Sequence, residues 1–180
     1  MTVIETTRTR VRRITADDYD AMFEVYSDLE LMKYVGDSTA ISPEDCLRWM
    51  HITLDNYATK SYGLFLIEEI NSTTCMGFVG LTHPGGIPHP EIKYTLKKEF
   101  WGFGIATEVV QTLTQFALMT GWTTRVVATV SPEHLGSQRV LEKAGFVREA
   151  DTCNEDGTTT AYYSCENPVR SPAPNSSQRM

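Results

Sequence analysis

The spacing of apolar and polar positions predicts two helices in the first third of the chain. Thr15 is placed to cap the first helix, with Asp18 three residues later in a capping-box position. Ser42 is placed to cap the second helix, and Pro43 stands at its first position, where a missing N–H has no helical partner to lose. The apolar side chains of each helix recur at the spacing that puts them on one face. These faces consist of Tyr19, Met22, Phe23 and Tyr26 in the first helix and of Leu47, Met50, Leu54 and Tyr57 in the second.

The longest helical pattern covers residues 104–120, and a shorter one follows within 136–146. Gly121 and Gly145 predict where these two helices end, because glycine readily adopts the left-handed conformation that terminates many helices. The apolar face of the long helix contains Val109, Val110, Leu113, Phe116 and Ala117.

Short apolar or alternating runs, bounded by turn residues, predict strands between these helices. The predicted order is one strand, two helices, three strands, a long helix, a strand, a short helix and two strands. This order is typical of a mixed α/β domain around a central sheet. The predicted strands cover residues 7–15, 62–69, 75–83, 91–96 and 124–130, followed by a pair around the turn 154–157 that ends near residue 165.

The composition of the chain is that of a globular domain. It has 180 residues, of which 41% are hydrophobic and 22% are charged, so one domain with a sizeable core is expected. The net charge of −7 and the sequence pI of about 5.1 argue against a broad electrostatic surface for nucleic acid or for an anionic membrane. The same charge favours a cationic or amine substrate over an acidic one.

The cysteines and the start of the chain indicate a reducing compartment. The 4 cysteines lack CxxC spacing, so neither a metal site nor a disulfide framework is expected. The charged N-terminal segment has no apolar run behind it that would make a signal peptide, and no stretch approaches the ~18 apolar residues of a membrane span. We therefore expect a soluble, cytoplasmic protein.

Two glycines, Gly102 and Gly104, stand where the strand 91–96 gives way to the long helix. Glycine permits a positive φ and leaves the backbone uncovered, while the first turn of a helix offers free N–H groups and a positive dipole end. The turn is therefore a candidate cradle for phosphate groups, with a tight turn that holds no ligand as the alternative. No Gly-Lys-Ser/Thr follows, as a Walker loop requires. Thr107 stands where a dinucleotide-binding motif has its third small residue, and the element order lacks βαβ repeats.

The segment RVVATVSPEHLGSQRVLEKAGFVREA, at residues 125–150, closely resembles the last part of the GNAT acetyltransferase core and is most similar to the RimJ/RimL-like branch. The turn WGFGIA, at residues 101–106, resembles the coenzyme motif of the same family, with Trp101 in place of the usual Gln or Arg. The resemblance extends roughly over residues 8–165. It implies the GNAT fold, a mostly antiparallel twisted sheet of about seven strands with a splayed parallel pair, flanked by about four helices. A single domain is expected over residues 1–166, with a disordered tail over 167–180.

The resemblance implies acetyl-coenzyme A as the acetyl donor, with no metal. The diphosphate would bind the backbone N–H groups of residues 102–107, and the Leu96 N–H would contact the thioester carbonyl and stabilise the oxyanion of the transition state. The remaining phosphate charge has four candidate partners, each with a solvated surface side chain as the alternative reading: Lys97, Lys98, Arg139 and Lys143. The implied coenzyme-binding residues are Leu96, Trp101, Gly102, Phe103, Gly104, Ile105, Ala106, Thr107, His134, Ser137 and Arg139.

Acetyl transfer requires a neutral amine, so a general base is expected near the cleft. Glu91, at the start of the strand beside the cleft, is the first candidate. The alternative is an edge carboxylate that is merely exposed or that fixes the local loop. His83 and His89 flank the same loop and titrate near neutral pH, although a lone loop histidine is more often exposed and idle.

The leaving thiolate needs a group that stabilises or protonates it. Ser137 matches the serine that is thought to hydrogen-bond the coenzyme sulfur in some relatives. A hydroxyl at a helix start that bonds only to backbone is the alternative. Tyr162 and Tyr163 are other candidates for the acid, although tyrosines on strands usually pack in the core.

One position departs from the family pattern. His134 replaces the Asn of the family, and histidine is a poorer helix cap, although its ring can still donate a hydrogen bond to the coenzyme. This change leaves open a coenzyme-binding sensor or interaction module with little turnover. The resemblance implies an acceptor pocket built by the first two helices, their link and nearby strand ends. Its candidate residues are Tyr34, Trp49, His83, Tyr94 and Phe103, of which Trp49 is equally well explained as a core aromatic.

The leading hypothesis is an N-acetyltransferase that moves an acetyl group from acetyl-coenzyme A to a primary amine. The amine attacks directly in a ternary complex of enzyme, coenzyme and acceptor. Related enzymes modify protein N-termini, amino acids, polyamines or drugs, and the sequence does not choose between a peptide and a small-molecule amine. No nucleic acid or membrane partner is expected, and a homodimer is compatible with the resemblance.

Overall fold

The structure of the protein, a computed structural model, describes residues 1–33, 39–84, 88–154 and 157–167. The expected tail lies outside the described residues from residue 168 onward. Within the described ranges, no helix is long and apolar enough to cross a bilayer. The same ranges contain no group of three or more His, Cys, Asp and Glu side chains that could hold a metal ion.

The core of the fold is a sheet of short strands. They are β1 (Thr2–Glu5), β2 (Thr9–Arg13), β3 (Leu64–Glu69), β4 (Cys75–Thr82), β5 (Glu91–Leu96), β6 (Arg125–Val130), β7 (Val147–Arg148), β8 (Thr152–Cys153) and β9 (Thr159–Glu166). Together they form a nine-stranded sheet in the spatial order β1-β2-β3-β4-β5-β6-β9-β7, with β8 pairing β9. The central strands β3 and β4 are buried along nearly their whole length, because helices cover both faces of the sheet.

Strands β5 and β6 form the one parallel pair among the described strands, and every other pairing is antiparallel. The pair is joined where Glu91 stands opposite Val127, and the Val127 N–H donates to the Pro90 carbonyl at 3.0 Å. The register shows no further pairing toward the carboxyl ends of the two strands, so a gap opens between them there. The predicted mostly antiparallel sheet with one splayed parallel pair is therefore confirmed.

The helices lie on both faces of this sheet. Those in the described residues are α1 (Tyr19–Ser27), α2 (Leu29–Met32), α3 (Pro43–Thr59), α4 (Ile105–Thr120) and α5 (Leu135–Lys143). Tyr26 of α1 packs against Phe78 of β4, which stands opposite Thr95 of β5, whereas Tyr94, the neighbour of Thr95, bonds Ser137 of α5. Because successive side chains of a strand point to opposite faces, α1 and α5 lie on opposite sides of β5.

The predicted helix ends are found in the structure. The Thr15 N–H donates to Asp18 Oδ2 at 2.7 Å, and a single 3-10 turn at Ala16–Asp18 leads into α1. Ser42 Oγ accepts from the Asp45 N–H at 3.1 Å, and α3 begins at the proline that follows Ser42. Gly121 ends α4 in the left-handed conformation, with a φ of 77°.

Two elements near the N-terminus were not predicted. Strand β1 is too short to show a pattern, and it forms because it pairs antiparallel with β2. Helix α2 is one turn long and is capped by Asp28, whose Oδ1 accepts from the N–H groups of Glu30 at 2.8 Å and Leu31 at 3.3 Å. Because β1 is added and the strand predicted before the turn 154–157 is divided into the two-residue strands β7 and β8, the sheet has nine strands instead of about seven. With α2, the described residues hold one helix more than expected.

A buried ionic network fastens the start of α1 to the sheet. Arg12 on β2 reaches Asp18 Oδ1 through Nη2 at 2.7 Å and Glu68 Oε1 through Nε at 2.6 Å. Burial alone would raise the pKa of Asp18, but hydrogen bonds from Arg12 and from the Thr15 N–H outweigh it and hold that pKa below its usual value. The network therefore stabilises the fold with Asp18 ionised.

Candidate active site

The turn that precedes α4 presents bare backbone. Gly102 and Gly104 have φ angles of 81° and 76°, the left-handed region that favours glycine. A Cβ placed on Gly102 would have no atom within 4 Å, and one on Gly104 would meet only Arg8 Nη2 at 4.0 Å. Among the described residues, no backbone or side-chain hydrogen bond uses the N–H groups of residues 102–107, and the first helical bond of α4 runs from Glu108 N to Gly104 O. These N–H groups and the positive end of α4 are therefore available to an anion.

A cavity of about 410 Å³ opens directly at this turn. It lies between the carboxyl end of β5, the first turn of α4 and one side of α5. Its walls bring together nearly all the predicted coenzyme-binding residues, which are separated by more than thirty positions in the sequence. The lining residues are Leu31, Tyr94, Thr95, Leu96, Phe100, Trp101, Gly102, Gly104, Ile105, Ala106, Thr107, His134, Gly136, Ser137, Arg139, Val140 and Lys143.

The end of β5 turns its last backbone groups toward the gap. The Lys97 N–H donates to Met76 O on β4 at 2.9 Å. Because backbone groups of successive strand residues point in opposite directions, the Leu96 N–H points away from β4, toward the gap between β5 and β6. The Leu96 carbonyl accepts from the indole Nε1 of Trp101 at 2.7 Å, so Trp101 ties the glycine turn to the strand. No local pattern indicated this role for Trp101.

A pair of hydroxyl groups lies in the wall of the cavity. Tyr94 Oη and Ser137 Oγ are 2.6 Å apart, and Tyr94 Oη also donates to the Ser137 carbonyl at 3.2 Å. Burial raises the pKa of Tyr94 to about 12. The phenol stays protonated at neutral pH, and either hydroxyl can donate the hydrogen bond between them. When Tyr94 donates, the Ser137 hydroxyl is left as a donor for a group in the cavity. Tyr94 was predicted to bind the acceptor, and in the structure its hydroxyl contacts Ser137.

His134 stands at the start of α5, where the family has Asn. Its side chain is half-buried, it lines the cavity, and it does not supply the helix-capping bond. Burial lowers the pKa of His134, so the imidazole is neutral at pH 7. A neutral ring has one N–H donor, which is what a coenzyme contact requires.

The four basic candidates separate into two pairs. Lys97 Nζ binds Glu24 Oε1 at 2.8 Å, and Lys98 Nζ binds Glu30 and lies 3.7 Å from Asp28 Oδ2. Both lysines therefore hold the end of β5 against α1 and α2. The other two, Arg139 and Lys143, stand one helical turn apart on α5 and line the cavity.

Phe103 is the exception among the predicted coenzyme-binding residues. Its ring is 66% exposed and lines a second cavity of about 310 Å³, behind the glycine turn. Its carbonyl accepts from Arg8 Nη1 at 2.7 Å, and the same guanidinium bonds Glu108 Oε2 through Nε at 3.0 Å. Arg8 thus holds the turn from behind. The sequence did not single it out, because no local pattern links two positions that are 95 residues apart.

Glu91 lies deep at the joined end of the parallel pair. Its side chain is 2% exposed and does not belong to the lining of the 410 Å³ cavity. Oε1 accepts from Lys93 Nζ at 2.6 Å, from the Thr129 N–H at 3.0 Å and from the Thr129 hydroxyl. The assignment of Glu91 as general base stays a prediction. The alternative of an exposed edge carboxylate does not match its burial.

The remaining acceptor candidates are not brought to the cavity. Trp49 is 39% exposed on α3 and contacts Tyr26 edge-on, with ring centroids 5.7 Å apart. His83 follows β4 and bonds the hydroxyl of Tyr62 at 2.7 Å. Tyr34 lies outside the described residues. Their role in acceptor binding stays a prediction.

Comparison with known proteins supplies the context for this site. The chain matches the family model described as acetyltransferase (GNAT) domain over residues 8–147. It is 28% identical over 149 residues to "Uncharacterized N-acetyltransferase YoaA" of Bacillus subtilis (strain 168), which covers 82% of this chain and 84% of that protein. An acetyltransferase from Agrobacterium tumefaciens str. C58 has a TM-score of 0.80 at 21% identity, covering 93% of this chain and 95% of its own.

A second solved structure with a TM-score of 0.80 is RimL, described as a ribosomal L7/L12 alpha-N-protein acetyltransferase in complex with coenzyme A. It is 16% identical, and the match covers 92% of this chain and 98% of RimL. At these identities the two solved structures show the fold alone. They confirm the predicted GNAT fold.

Proposed function

Because the chain belongs to the GNAT acetyltransferase family, we propose that it transfers the acetyl group of acetyl-coenzyme A to a primary amine by direct attack in a ternary complex. The observation that carries this proposal is the bare turn at residues 102–107, which opens onto a 410 Å³ cavity beside the free edge of β5. A diphosphate needs several converging donors, and a thioester needs one donor at its carbonyl. The turn at the rim of the cavity offers the donors for the diphosphate, and the Leu96 N–H along its wall offers the donor for the thioester carbonyl.

The residues of the cavity fit the donor in a definite orientation. The diphosphate binds the N–H groups of residues 102–107, where Gly102 and Gly104 leave room for close approach. Arg139 and Lys143 face the remaining phosphate charge, since both line the cavity. The pantetheine arm follows β5 into the gap, with the Leu96 N–H directed at the thioester carbonyl. RimL, which shares the fold, was solved with coenzyme A, and this supports the choice of donor.

The chemistry requires one bond to form and one to break. The neutral amine attacks the thioester carbon and forms the C–N bond, the nitrogen then loses one proton, the C–S bond breaks, and the coenzyme leaves as a thiolate that takes up one proton. The Leu96 N–H stabilises the negative charge that develops on the carbonyl oxygen. The Ser137 hydroxyl, held by Tyr94, donates a hydrogen bond to the sulfur and relays the proton. A neutral hydrogen-bond donor, rather than a strong acid, therefore stabilises the negative charge on the sulfur.

We propose a protein or peptide N-terminus as the first acceptor to test. An α-amine has a reference pKa near ~8, against ~10.4 for lysine, so a larger fraction of it is neutral and reactive at pH 7. The description of RimL as an alpha-N-protein acetyltransferase supports the same choice. Small-molecule amines remain the other arm of the test.

The deciding experiment is a thiol-release assay with acetyl-coenzyme A and a panel of peptides, amino acids, polyamines and aminoglycosides. We expect release of free coenzyme A that depends on one amine class, with the acetylated amine detected by mass spectrometry. Coenzyme binding by calorimetry without thiol release for any amine would favour the sensor alternative. An absence of coenzyme binding would overturn the proposal.

A further inference from the structure

The last hydrogen bonds of the parallel pair show how the gap between β5 and β6 is opened. The Val127 N–H donates to the Pro90 carbonyl at 3.0 Å, as in a regular parallel ladder. In such a ladder the next donor of β6, the Thr129 N–H, would bond the carbonyl of Ile92. It bonds Glu91 Oε1 instead, at 3.0 Å. A side chain has therefore replaced a backbone acceptor at the point where the strands separate.

The surroundings of Glu91 are those of a group that holds two strands. The side chain is 2% exposed, and Oε1 also accepts from the Thr129 hydroxyl on β6 and from Lys93 on β5. Buried backbone donors must be paired, and a carboxylate is a stronger acceptor than a carbonyl. The Thr129 N–H is thus satisfied without closing the ladder.

We propose that Glu91 is a positioning residue, whose carboxylate holds the Thr129 N–H of β6 and so keeps β5 and β6 apart. The separation leaves the Leu96 N–H turned toward the gap and unpaired with β6, where the thioester carbonyl can accept from it. The consequence for acetyl transfer rests on the proposed function, whereas the hydrogen bond between Glu91 and Thr129 does not depend on it. It assigns Glu91 a different part from the predicted general base.

The two roles make different demands on the carboxylate. A general base must reach the acceptor amine directly or through one water molecule. Glu91 is buried away from the lining of the cavity, and the acceptor oxygen that the structure defines is already engaged with Thr129. A positioning residue only needs a side chain long enough to place an acceptor atom at the Thr129 N–H. Glutamine can do that, and leucine cannot.

The test compares Glu91→Gln with Glu91→Leu, using Lys93→Met as the matched control. Glu91→Gln keeps an acceptor for the Thr129 N–H, so we expect kcat within about threefold of wild type and an unchanged acidic limb of the pH–rate profile. Glu91→Leu removes the acceptor, and we expect KM and Kd for acetyl-coenzyme A to rise about tenfold or more as the strands close. Lys93→Met should change neither constant more than about twofold, because Lys93 is half-exposed.

A measurement that needs no activity keeps the two proposals apart. A long-range HNCO experiment on the wild-type protein should show coupling between the Thr129 nitrogen and the Glu91 side-chain carboxyl carbon. In Glu91→Leu, the coupling should move to the Ile92 carbonyl. The positioning role is overturned if wild type lacks the carboxyl coupling, or if Glu91→Leu leaves coenzyme affinity unchanged. It is equally overturned if Glu91→Gln loses kcat by ~100-fold or more at unchanged Kd, the signature of a lost base. A wild-type enzyme without thiol release would instead contradict the proposed function.

Discussion

The hydroxyl of Tyr94 on β5 lies 2.6 Å from Ser137 Oγ on α5, in the wall of the 410 Å³ cavity. The two residues come from opposite sides of the long helix in the chain, and each belongs to a segment that resembles the family core. Their contact gives the serine a fixed orientation. A serine hydroxyl by itself is a weak acid, so its orientation decides what it can do for a leaving sulfur.

Tyr94→Phe should therefore lower turnover more than coenzyme affinity. The substitution removes a hydrogen bond of roughly 1 kcal/mol, which corresponds to a fall in kcat of about five- to tenfold. Steady-state kinetics and calorimetry measure the two constants separately. Tyr19→Phe is the control, because the hydroxyl of Tyr19 contacts only the Pro43 carbonyl, at the surface, among the hydrogen bonds of the described residues. An equal loss in both variants would remove the special role of Tyr94.

Gly104→Ala should weaken coenzyme binding beyond its effect on stability. Gly104 and Gly121 stand at the two ends of α4 with φ angles of 76° and 77°, so alanine costs each position about 1 kcal/mol of backbone strain. At Gly104 the strain also falls on the turn whose N–H groups form the proposed phosphate cradle, whereas Gly121 lies at the other end of α4 and does not line the cavity. We expect Kd for acetyl-coenzyme A to rise at least tenfold in Gly104→Ala and to stay within about twofold in Gly121→Ala. Similar affinities for the two variants would contradict the cradle.

The four basic candidates should affect the affinity for acetyl-coenzyme A as two separate pairs. Arg139→Ala combined with Lys143→Ala should raise Kd for acetyl-coenzyme A about tenfold at low salt, with a smaller effect at high salt because the contacts are screened. Lys97→Ala combined with Lys98→Ala should have the smaller effect on Kd, since both ammonium groups bind carboxylates of α1 and α2. Calorimetry at two salt concentrations tests both pairs. The reverse ranking would show that the phosphates lie on the other side of the turn.

Arg8→Met should loosen the coenzyme turn without touching the coenzyme. Its guanidinium holds the Phe103 carbonyl from behind, at 2.7 Å. We expect KM for acetyl-coenzyme A to rise about three- to fivefold while kcat changes little, because the lost contact only orients the binding groups. Arg10→Met is the matched control, since Arg10 bonds Glu5 within the same hairpin. Identical kinetics in both variants would argue that the clamp has no function.

Asp18→Asn should destabilise the fold in a pH-dependent way. The mostly buried pair with Arg12 loses its charge complement, at a cost of roughly 3 kcal/mol in the free energy of unfolding at pH 7. Because the folded pKa of Asp18 lies below its unfolded value, the stabilisation is complete above the unfolded pKa and is lost as the pH falls through the folded pKa. Urea unfolding at pH 7 and near pH 3 should therefore show a large difference between wild type and variant at pH 7 and a smaller one in acid. A difference that does not depend on pH would exclude the ionic origin.

Much of the fold could be predicted because its signals are local. Ser42 and Pro43 mark the start of α3, and Gly121 marks the end of α4, through conformational preferences that act within one helical turn. The apolar face of α4 follows from its spacing, whereas in α3 the predicted Leu47 is 46% exposed and Cys46 is buried beside it. Strand β1 and helix α2 could not be predicted, because four residues carry too little pattern and each element is stabilised by partners elsewhere.

The candidate site also combines features that the local sequence predicts with contacts that it does not. The glycines before α4 predict uncovered N–H groups, because Gly102 and Gly104 have no side chain and readily adopt the positive φ found in the structure. The role of Arg8 depends on a contact across 95 residues, and the partner of Glu91 depends on a strand 38 residues away. Neither contact can be predicted from the neighbouring residues in the sequence.

The helix ends, the glycine turn before α4 and the family could all be inferred from the sequence, since each rests on neighbouring residues in a fixed order. Only the packing of distant segments set which side chains meet around β5. It turned Tyr94 toward Ser137, engaged Lys97 and Lys98 with carboxylates, and buried Glu91 against Thr129. The physical reason is that strand register and splay are set by pairing between distant segments, and a side chain's chemistry depends on what that pairing brings within hydrogen-bonding distance.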